Sequence, residues 1–360
     1  MIPPSGDVSV DLLSDTVTLP PAEMRRAMAE AQVGDDVYGE DPTVRRLEEV
    51  AAERLGKAAA LFVPSGTMGN LLALMSHCRR GDRLLVGDRS DIWLWEAGGA
   101  AVLGGLVYHP LATADDGRLE LADVEAVMSD PDDPESAPAA LLCLETPHCL
   151  CGGRPLTPSY LSAARHTATR LGLALHLDGA RLFNAAVALG VPAADLAGPA
   201  DSVLFCLSKG LAAPVGSVLA GEVELIARAR RLRKMLGGGM RQAGILAAAG
   251  LHALDHMVER LAEDHARAAR LAVALARLGE GTGLHLETPE PETNMVFWRL
   301  QEPWRAAEFV AALARQGVRV GELGRGRVRA VTHRGVGDAD VDHAADVIAR
   351  VLADGPRPAA

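Results

Sequence analysis

Val203-Leu-Phe-Cys-Leu-Ser-Lys-Gly210 and, upstream of it, His176-Leu-Asp-Gly-Ala-Arg181 each carry an apolar strand into a residue with chemistry to offer. Lys209 closes the first run and Asp178 the second. A lysine amine can hold a carbonyl cofactor covalently, and a buried carboxylate can keep a pyridine nitrogen protonated so that the ring withdraws electrons. Taken singly, Lys209 reads as a solvated lysine and Asp178 as a helix cap. Paired at the ends of two apolar strands, they point to pyridoxal 5'-phosphate.

Working outward, the short apolar segments Arg83-Leu-Leu-Val86, Ala140-Leu-Leu-Cys-Leu144, Ala174-Leu-His-Leu177 and Ser202-Val-Leu-Phe-Cys206 alternate with helical stretches. That alternation predicts an α/β chain with a mainly parallel sheet. Ligands of such sheets gather at the carboxyl ends of strands, where Gly66, His148, Asp178 and Lys209 fall. Ala60-Leu-Phe-Val-Pro-Ser-Gly-Thr-Met-Gly-Asn70 breaks at Gly66-Thr67 into an apolar helical stretch, Leu71 to His77. It reads as an anion site, because free amides and the dipole at a helix start attract phosphate and Thr67 adds a hydroxyl. Ser208 is a second candidate phosphate donor. Asp41 to Gly56 predicts a helix with Asp41 as cap, Pro42 in the first turn, Gly56 past the end and Val44, Leu47, Ala51 and Leu55 as its buried stripe.

From about His256 the pattern changes to a long charged helix and then strands near Asn294-Met-Val-Phe-Trp298 and Val328-Arg-Ala-Val331. The expected division is therefore 1–255 for an N-terminal segment and a large cofactor-binding domain, 256–354 for a smaller C-terminal α/β domain, and 355–360 for a flexible tail. With 360 residues, 49% of them hydrophobic and only 3% aromatic, Ala, Leu and Val must fill the core. A formal net charge of −11 argues against nucleic acid as a partner and favours small molecules. Met1-Ile-Pro-Pro-Ser-Gly lacks a secretory pattern, and Ala243 to Leu254 is too short to span a bilayer, so a cytoplasmic protein is expected. Five cysteines read as reduced thiols. Cys149-Leu-Cys151 beside His148 has no second ligand pair after it, so no metal is expected.

At this point the chain resembles the low-specificity L-threonine aldolases, pyridoxal-phosphate enzymes of the aspartate-aminotransferase fold, fold type I. The resemblance is carried by Ser14-Asp-Thr-Val-Thr18, Val33-Gly-Asp-Asp-Val-Tyr-Gly-Glu-Asp-Pro-Thr43, Pro64-Ser-Gly-Thr67, Leu175-His-Leu-Asp-Gly-Ala-Arg-Leu-Phe-Asn184, Cys206-Leu-Ser-Lys-Gly210 and Arg233-Lys-Met-Leu-Gly-Gly-Gly-Met-Arg-Gln242, with Val328-Arg-Ala-Val-Thr-His333 near the C-terminus. It implies retro-aldol cleavage of L-β-hydroxy-α-amino acids to glycine and an aldehyde. Arg181, three residues after Asp178, has the guanidinium that suits bidentate carboxylate binding. The resemblance adds Ser14 and Arg329 to that clamp, gives Lys234 and Arg241 to a phosphate across a subunit boundary, and sends Tyr38 toward a neighbouring subunit's site. It thus implies a homo-oligomer, a dimer or tetramer.

His148, after a strand, is the candidate acceptor for the β-hydroxyl proton, directly or through water. The departures lie close by. Where the family carries a histidine stacked on the cofactor ring, within Gly-Asp-x-x-His, this chain has Gly87-Asp-Arg-Ser-Asp91, and Glu145-Thr-Pro-His148 stands where the family has Glu-Asn-Thr-His. Leu13 replaces an arginine. An aspartate offers no aromatic face. Asp91 is then a base, a hydroxyl-binding group, or turned away while Trp93 takes over part of the packing. The alternatives are a related racemase, a β-eliminating lyase, an aldolase with altered substrate, or a cofactor-binding protein without catalysis.

Overall fold

The computed structural model describes residues 8–130, 133–278 and 282–356. The first residues of the N-terminal segment, 1–7, and most of the expected tail, 357–360, lie outside the described residues. Two compact units result, Pro20–Val258 and a second in which the chain up to Leu19 joins Glu259 onward. The N-terminal segment therefore does not belong with the large domain, as the sequence suggests. The reason is a strand too short to show in sequence: β1 (Val10–Asp11) pairs in parallel with Val318–Arg319.

In the Pro20–Val258 unit, α1 (Ala22–Ala29) and α2 (Pro42–Leu55) lead into β2 (Ala59–Val63) and α3 (Gly66–His77). Then come β3 (Arg83–Gly87), α4 (Asp91–Leu94), β4 (Val107–Leu111), α5 (Leu121–Ala126), β5 (Ala139–Glu145), α6 (Pro158–Arg170) and β6 (Ala174–Asp178). The unit ends with α7 (Leu182–Leu189), α8 (Ala193–Ala197), β7 (Ser202–Cys206), β8 (Ser217–Gly221), α9 (Val223–Met235) and α10 (Gly244–His256). α2 starts where its sequence says. The Asp41 carboxylate accepts the N–H groups of Thr43 and Val44, Pro42 fills the first turn, and Gly56 closes the helix at φ 62°, a cap worth about 1 kcal/mol.

Among the described residues, seven strands form one sheet in the order β2-β8-β7-β6-β5-β3-β4. β8 runs antiparallel to both its neighbours, and the remaining pairs are parallel. Register puts Glu145 opposite Asp178, and Asp178 opposite Leu204, so the carboxyl ends of β5, β6 and β7 line up. α3 lies hard against this edge. A Cβ built on Gly69 would come within 2.1 Å of Leu204 Cδ1, and Leu204 is fully buried. Glycine is what lets the helix approach the sheet that closely.

In the second unit, α11 (Leu261–Leu278), β9 (Leu284–Leu286), β10 (Met295–Leu300), α12 (Ala306–Arg315), β11 (Val318–Arg319), β12 (Gly321–Glu322), β13 (Arg327–Val331) and α13 (Asp338–Asp354) follow in order. Its larger sheet is antiparallel, β12-β13-β10-β9. The core behind it holds Trp298, Phe309, Leu271 and Ile348. Arg329, on β13, stands opposite Phe297 and Gly321.

Candidate active site

Asp178 ends β6 with its carboxylate fixed at both oxygens. The Ala180 N–H donates to Oδ1 at 3.0 Å and the Asn70 amide to Oδ2 at 2.9 Å. The residue is 2% exposed. Burial raises its proton affinity first, and Asp91 raises it further, while Lys209, Asn70 and the Ala180 amide pull the other way. Lys209 is thus within electrostatic reach of the group with which sequence pairs it. The same lysine lowers the proton affinity of Glu96, so the three side chains form one cluster.

Arg181 caps α7 and is buried, with Nη1 3.8 Å from Cys149 Sγ. It borders a small cavity of about 10 Å³ together with Asn184, Cys206 and Lys209. Arg181 and Lys209 therefore line one hollow.

The anion end is built by α3. Ser65 caps the helix by accepting the Met68 N–H, which leaves Gly66 and Thr67 heading the first turn at the positive end of the dipole. A Cβ on Gly66 would sit 2.9 Å from Cys206 Sγ, so the start of α3 abuts the end of β7, three residues before Lys209. Ser208 is half-buried beside that lysine. Amine, buried carboxylate and helix N-terminus thus converge on one sheet edge, and this donor set fits a phosphorylated pyridine aldehyde.

Asp91 heads α4, and its backbone N–H donates to Glu145 Oε2 at 2.9 Å. Glu145 Oε1 accepts from the Cys149 N–H at 2.8 Å. Glu145 therefore ties the segment carrying Asp91 to the segment carrying His148. Its proton affinity is raised by burial, then by Asp91 and Asp178. Glu96 is pushed up to about 8, again by burial first and Asp178 second. Four carboxyl groups, Asp91, Glu96, Glu145 and Asp178, thus share this corner with Lys209. Trp93 packs edge-on against Tyr108 with ring centroids 5.1 Å apart.

His148 lies deeper than a lone histidine after a strand suggests. It is 1% exposed, its Nδ1 is 3.9 Å from Glu145 Oε1, and neither ring nitrogen has a hydrogen-bond partner among the described residues. Burial, with help from Arg89, brings its pKa down to about 4, so the ring is neutral near pH 7.

The Val33 to Thr43 motif is a clasp. Asp36 pairs with Arg233 at 2.7 Å, both 2% exposed, and Arg233 also donates to the Phe62 carbonyl. Asp41 additionally accepts the Gly34 and Gly244 amides. Asp35 holds Arg241 at 2.8 Å, and the Arg241 guanidinium lies 5.7 Å from the centroid of the Tyr38 ring. Tyr38 is 73% exposed and Lys234 is exposed as well. Within this chain, then, Tyr38, Lys234 and Arg241 present an outer surface, and Gly238 packs against Met68 of α3. Ser14 and Arg329 belong to the other unit, where the Ser14 hydroxyl accepts the Thr16 N–H and caps a turn.

Sequence reasoning passes over Asn70, Glu96, Glu145 and His176. His176 carried a signal, since it alternates with Asp178 on one face of β6. Asn70 and Glu96 carried none of comparable weight, because their partners are remote in sequence.

The family model described as Beta-eliminating lyase matches residues 11–303. The chain is 45% identical over 347 residues to the probable low-specificity L-threonine aldolase 2 of Arabidopsis thaliana, covering 95% of this chain and 97% of that one. It is 50% identical over 298 residues to the low specificity L-threonine aldolase of Escherichia coli O157:H7, covering 83% and 86%. Its fold is similar to a solved structure of Leishmania major threonine aldolase, with a TM-score of 0.80, 22% identity and coverage of 95% and 99%. At that identity the likeness is one of fold, that of fold type I enzymes.

Proposed function

The chain belongs to the beta-eliminating lyase family, among the low-specificity L-threonine aldolases, and from that premise we propose that it cleaves L-β-hydroxy-α-amino acids of the threonine or allothreonine type to glycine and an aldehyde. The observation that carries the reading is Asp178, buried, held at both oxygens and electrostatically coupled to Lys209. When bound, pyridoxal 5'-phosphate supplies the electron sink into which the Cα–Cβ bonding pair flows.

The chain's own residues do the rest. Lys209 would hold the cofactor covalently, Asp178 would keep a proton on its ring nitrogen, and the Gly66-Thr67 amides with Ser208 would bind its phosphate. Arg181 grips the substrate carboxylate, which sets the orientation of the bond to be broken. His148 receives the β-hydroxyl proton. Its neutral ring can accept that proton directly or through a water. The exposed Tyr38, Lys234 and Arg241 support a homo-oligomer in which they serve a neighbouring copy. Five buried cysteines suit a reducing compartment, and the cytoplasm is the proposed location. No described helix is long and apolar enough to cross a membrane.

Asp91 favours one second reading, a changed substrate or reaction, because it adds a carboxyl group to a corner that already holds three. Cofactor-loaded protein given threonine should release acetaldehyde and glycine in equal amounts. Pyruvate and ammonia from serine would instead mark elimination. Absence of aldehyde from any β-hydroxy amino acid would overturn the aldolase reading.

A further inference from the structure

We infer that His77, Ser202, His176 and Asn70 form one polarised hydrogen-bond chain that locks the donor face of the Asn70 amide onto Asp178, making Asn70 and His176 positioning residues for the cofactor anchor. The inference rests on the reading of Asp178 as that anchor, but the chain itself is fixed by geometry.

Asn70 and His77 are seven residues apart on α3, two turns along one face and about 10 Å apart in rise. Across from them, His176 and Asp178 share one face of β6. Ser202, at the start of β7, stands opposite His176 in register. The contacts then run without a break. Asn70 Nδ2 is 2.9 Å from Asp178 Oδ2 and 2.8 Å from Glu96 Oε1. Asn70 Oδ1 is 3.0 Å from His176 Nε2, His176 Nδ1 is 2.8 Å from Ser202 Oγ, and that oxygen is 2.8 Å from His77 Nε2.

Each direction follows from the one before. With both Asn70 N–H groups given to carboxyl oxygens, its carbonyl oxygen must accept from His176 Nε2–H. Burial brings His176 down to about 3 and His77 to about 4, so both rings are neutral near pH 7 and carry one proton each. His176 Nδ1 is then the acceptor for the Ser202 hydroxyl, in competition with the Ser202 backbone group that favours a proton on this ring, and the Ser202 oxygen accepts from His77 Nε2–H. The opposite polarity would turn the Asn70 oxygen toward the Asp178 carboxylate, 2.9 Å away, where two acceptors would face each other, whereas Glu96, protonated near pH 7, can meet either end of the amide. A donor at Asp178 stabilises its ionised form; an acceptor there would not.

The test uses cofactor-free protein with ¹⁵N-labelled histidine and ¹³C-carboxyl-labelled aspartate. Ring-nitrogen shifts at pH 7 should show His176 and His77 both neutral and both protonated at Nε2. A proton on His176 Nδ1, or a charged ring, overturns the proposal, and this measurement needs no variant. Two substitutions then separate positioning from packing. His176→Gln keeps a donor where Nε2 lies and should leave the Asp178 titration midpoint in place. His176→Asn offers a donor only near the Nδ1 position, frees the Asn70 amide to turn, and should raise that midpoint by about one pH unit. Equal midpoints in the wild type and both variants would refute the positioning role. Failure of the aldolase reading would leave these tautomers and midpoints untouched, so the two ideas fall separately.

Discussion

Asp91 stands where the resemblance leads one to expect a ring-stacking histidine, and its charge acts on its neighbours. Its carboxyl raises the proton affinity of Asp178, Glu145 and Glu96. On the proposed reading, a raised Asp178 would hold a pyridinium less firmly, and an aspartate offers no aromatic face to the ring. Asp91→His should therefore raise threonine cleavage, measured as acetaldehyde release. If Asp91 serves a different substrate, the same change lowers activity on that substrate while threonine cleavage rises. Unchanged activities and cofactor spectra in both Asp91→His and Asp91→Ala would show that the side chain has no part in the reaction. Arg181 makes a complementary claim. If Arg181, which lines the hollow beside Lys209, makes the proposed two-point contact with the substrate carboxylate, an ammonium cannot replace it, so Arg181→Lys should weaken kcat/KM for the amino acid by about 100-fold or more. Cofactor affinity should move far less, and equal losses in both would mark Arg181 as structural.

Among elements, those whose start, stop and buried face are encoded locally were legible. α2 is the clearest case, since cap, first-turn proline, stripe and terminal glycine all lie between residues 41 and 56. The strands ending at Asp178 and Cys206 were equally plain, and with them the places of Asp178 and Lys209. α3 was read only by half. Its anion-binding start follows from Gly66-Thr67, but the reason for Gly69 and the task of Asn70 depend on β7 and β6, more than a hundred residues on. Magnitudes decide what Gly69→Ala should do. Helix propensity favours alanine by about 1 kcal/mol, whereas overfilling a packed core costs about 1–3 kcal/mol. The new methyl would meet Leu204, which is fully buried and has nowhere to go. The variant should lose about 1 kcal/mol, the difference of the two, in urea unfolding of the cofactor-free protein. A gain would show that α3 can lift from the sheet at little cost.

Over the whole molecule, the division into units was legible except where it depended on β1, whose two residues carry no periodicity to read. The balance of buried neutral groups was not legible at all, because it depends on where side chains sit after folding. Two kinds of buried group act on stability in opposite directions. His148 is depressed from 6.5 to about 4. Its contribution is fully present above 6.5 and is lost as pH falls toward 4, because the unfolded chain binds the proton first. Glu96 is raised from 4.5 to about 8. Its contribution is fully present below 4.5 and is lost as pH rises toward 8, because the unfolded chain then releases a proton that the folded chain keeps. Comparing each wild-type and variant pair in the cofactor-free state isolates these effects from all other titrations. Relative to His148→Gln, the wild type should lose stability from pH 6.5 down to 4, at about 1.4 kcal/mol per pH unit for the one proton involved. Relative to Glu96→Gln, which keeps an oxygen for the Asn70 amide, the wild type should lose stability from pH 4.5 up to 8 with the opposite slope. Urea midpoints measured across that range check both. Two flat differences would mean that neither group changes its proton affinity on folding, and two slopes of the same sign would mean that one of them titrates against its burial.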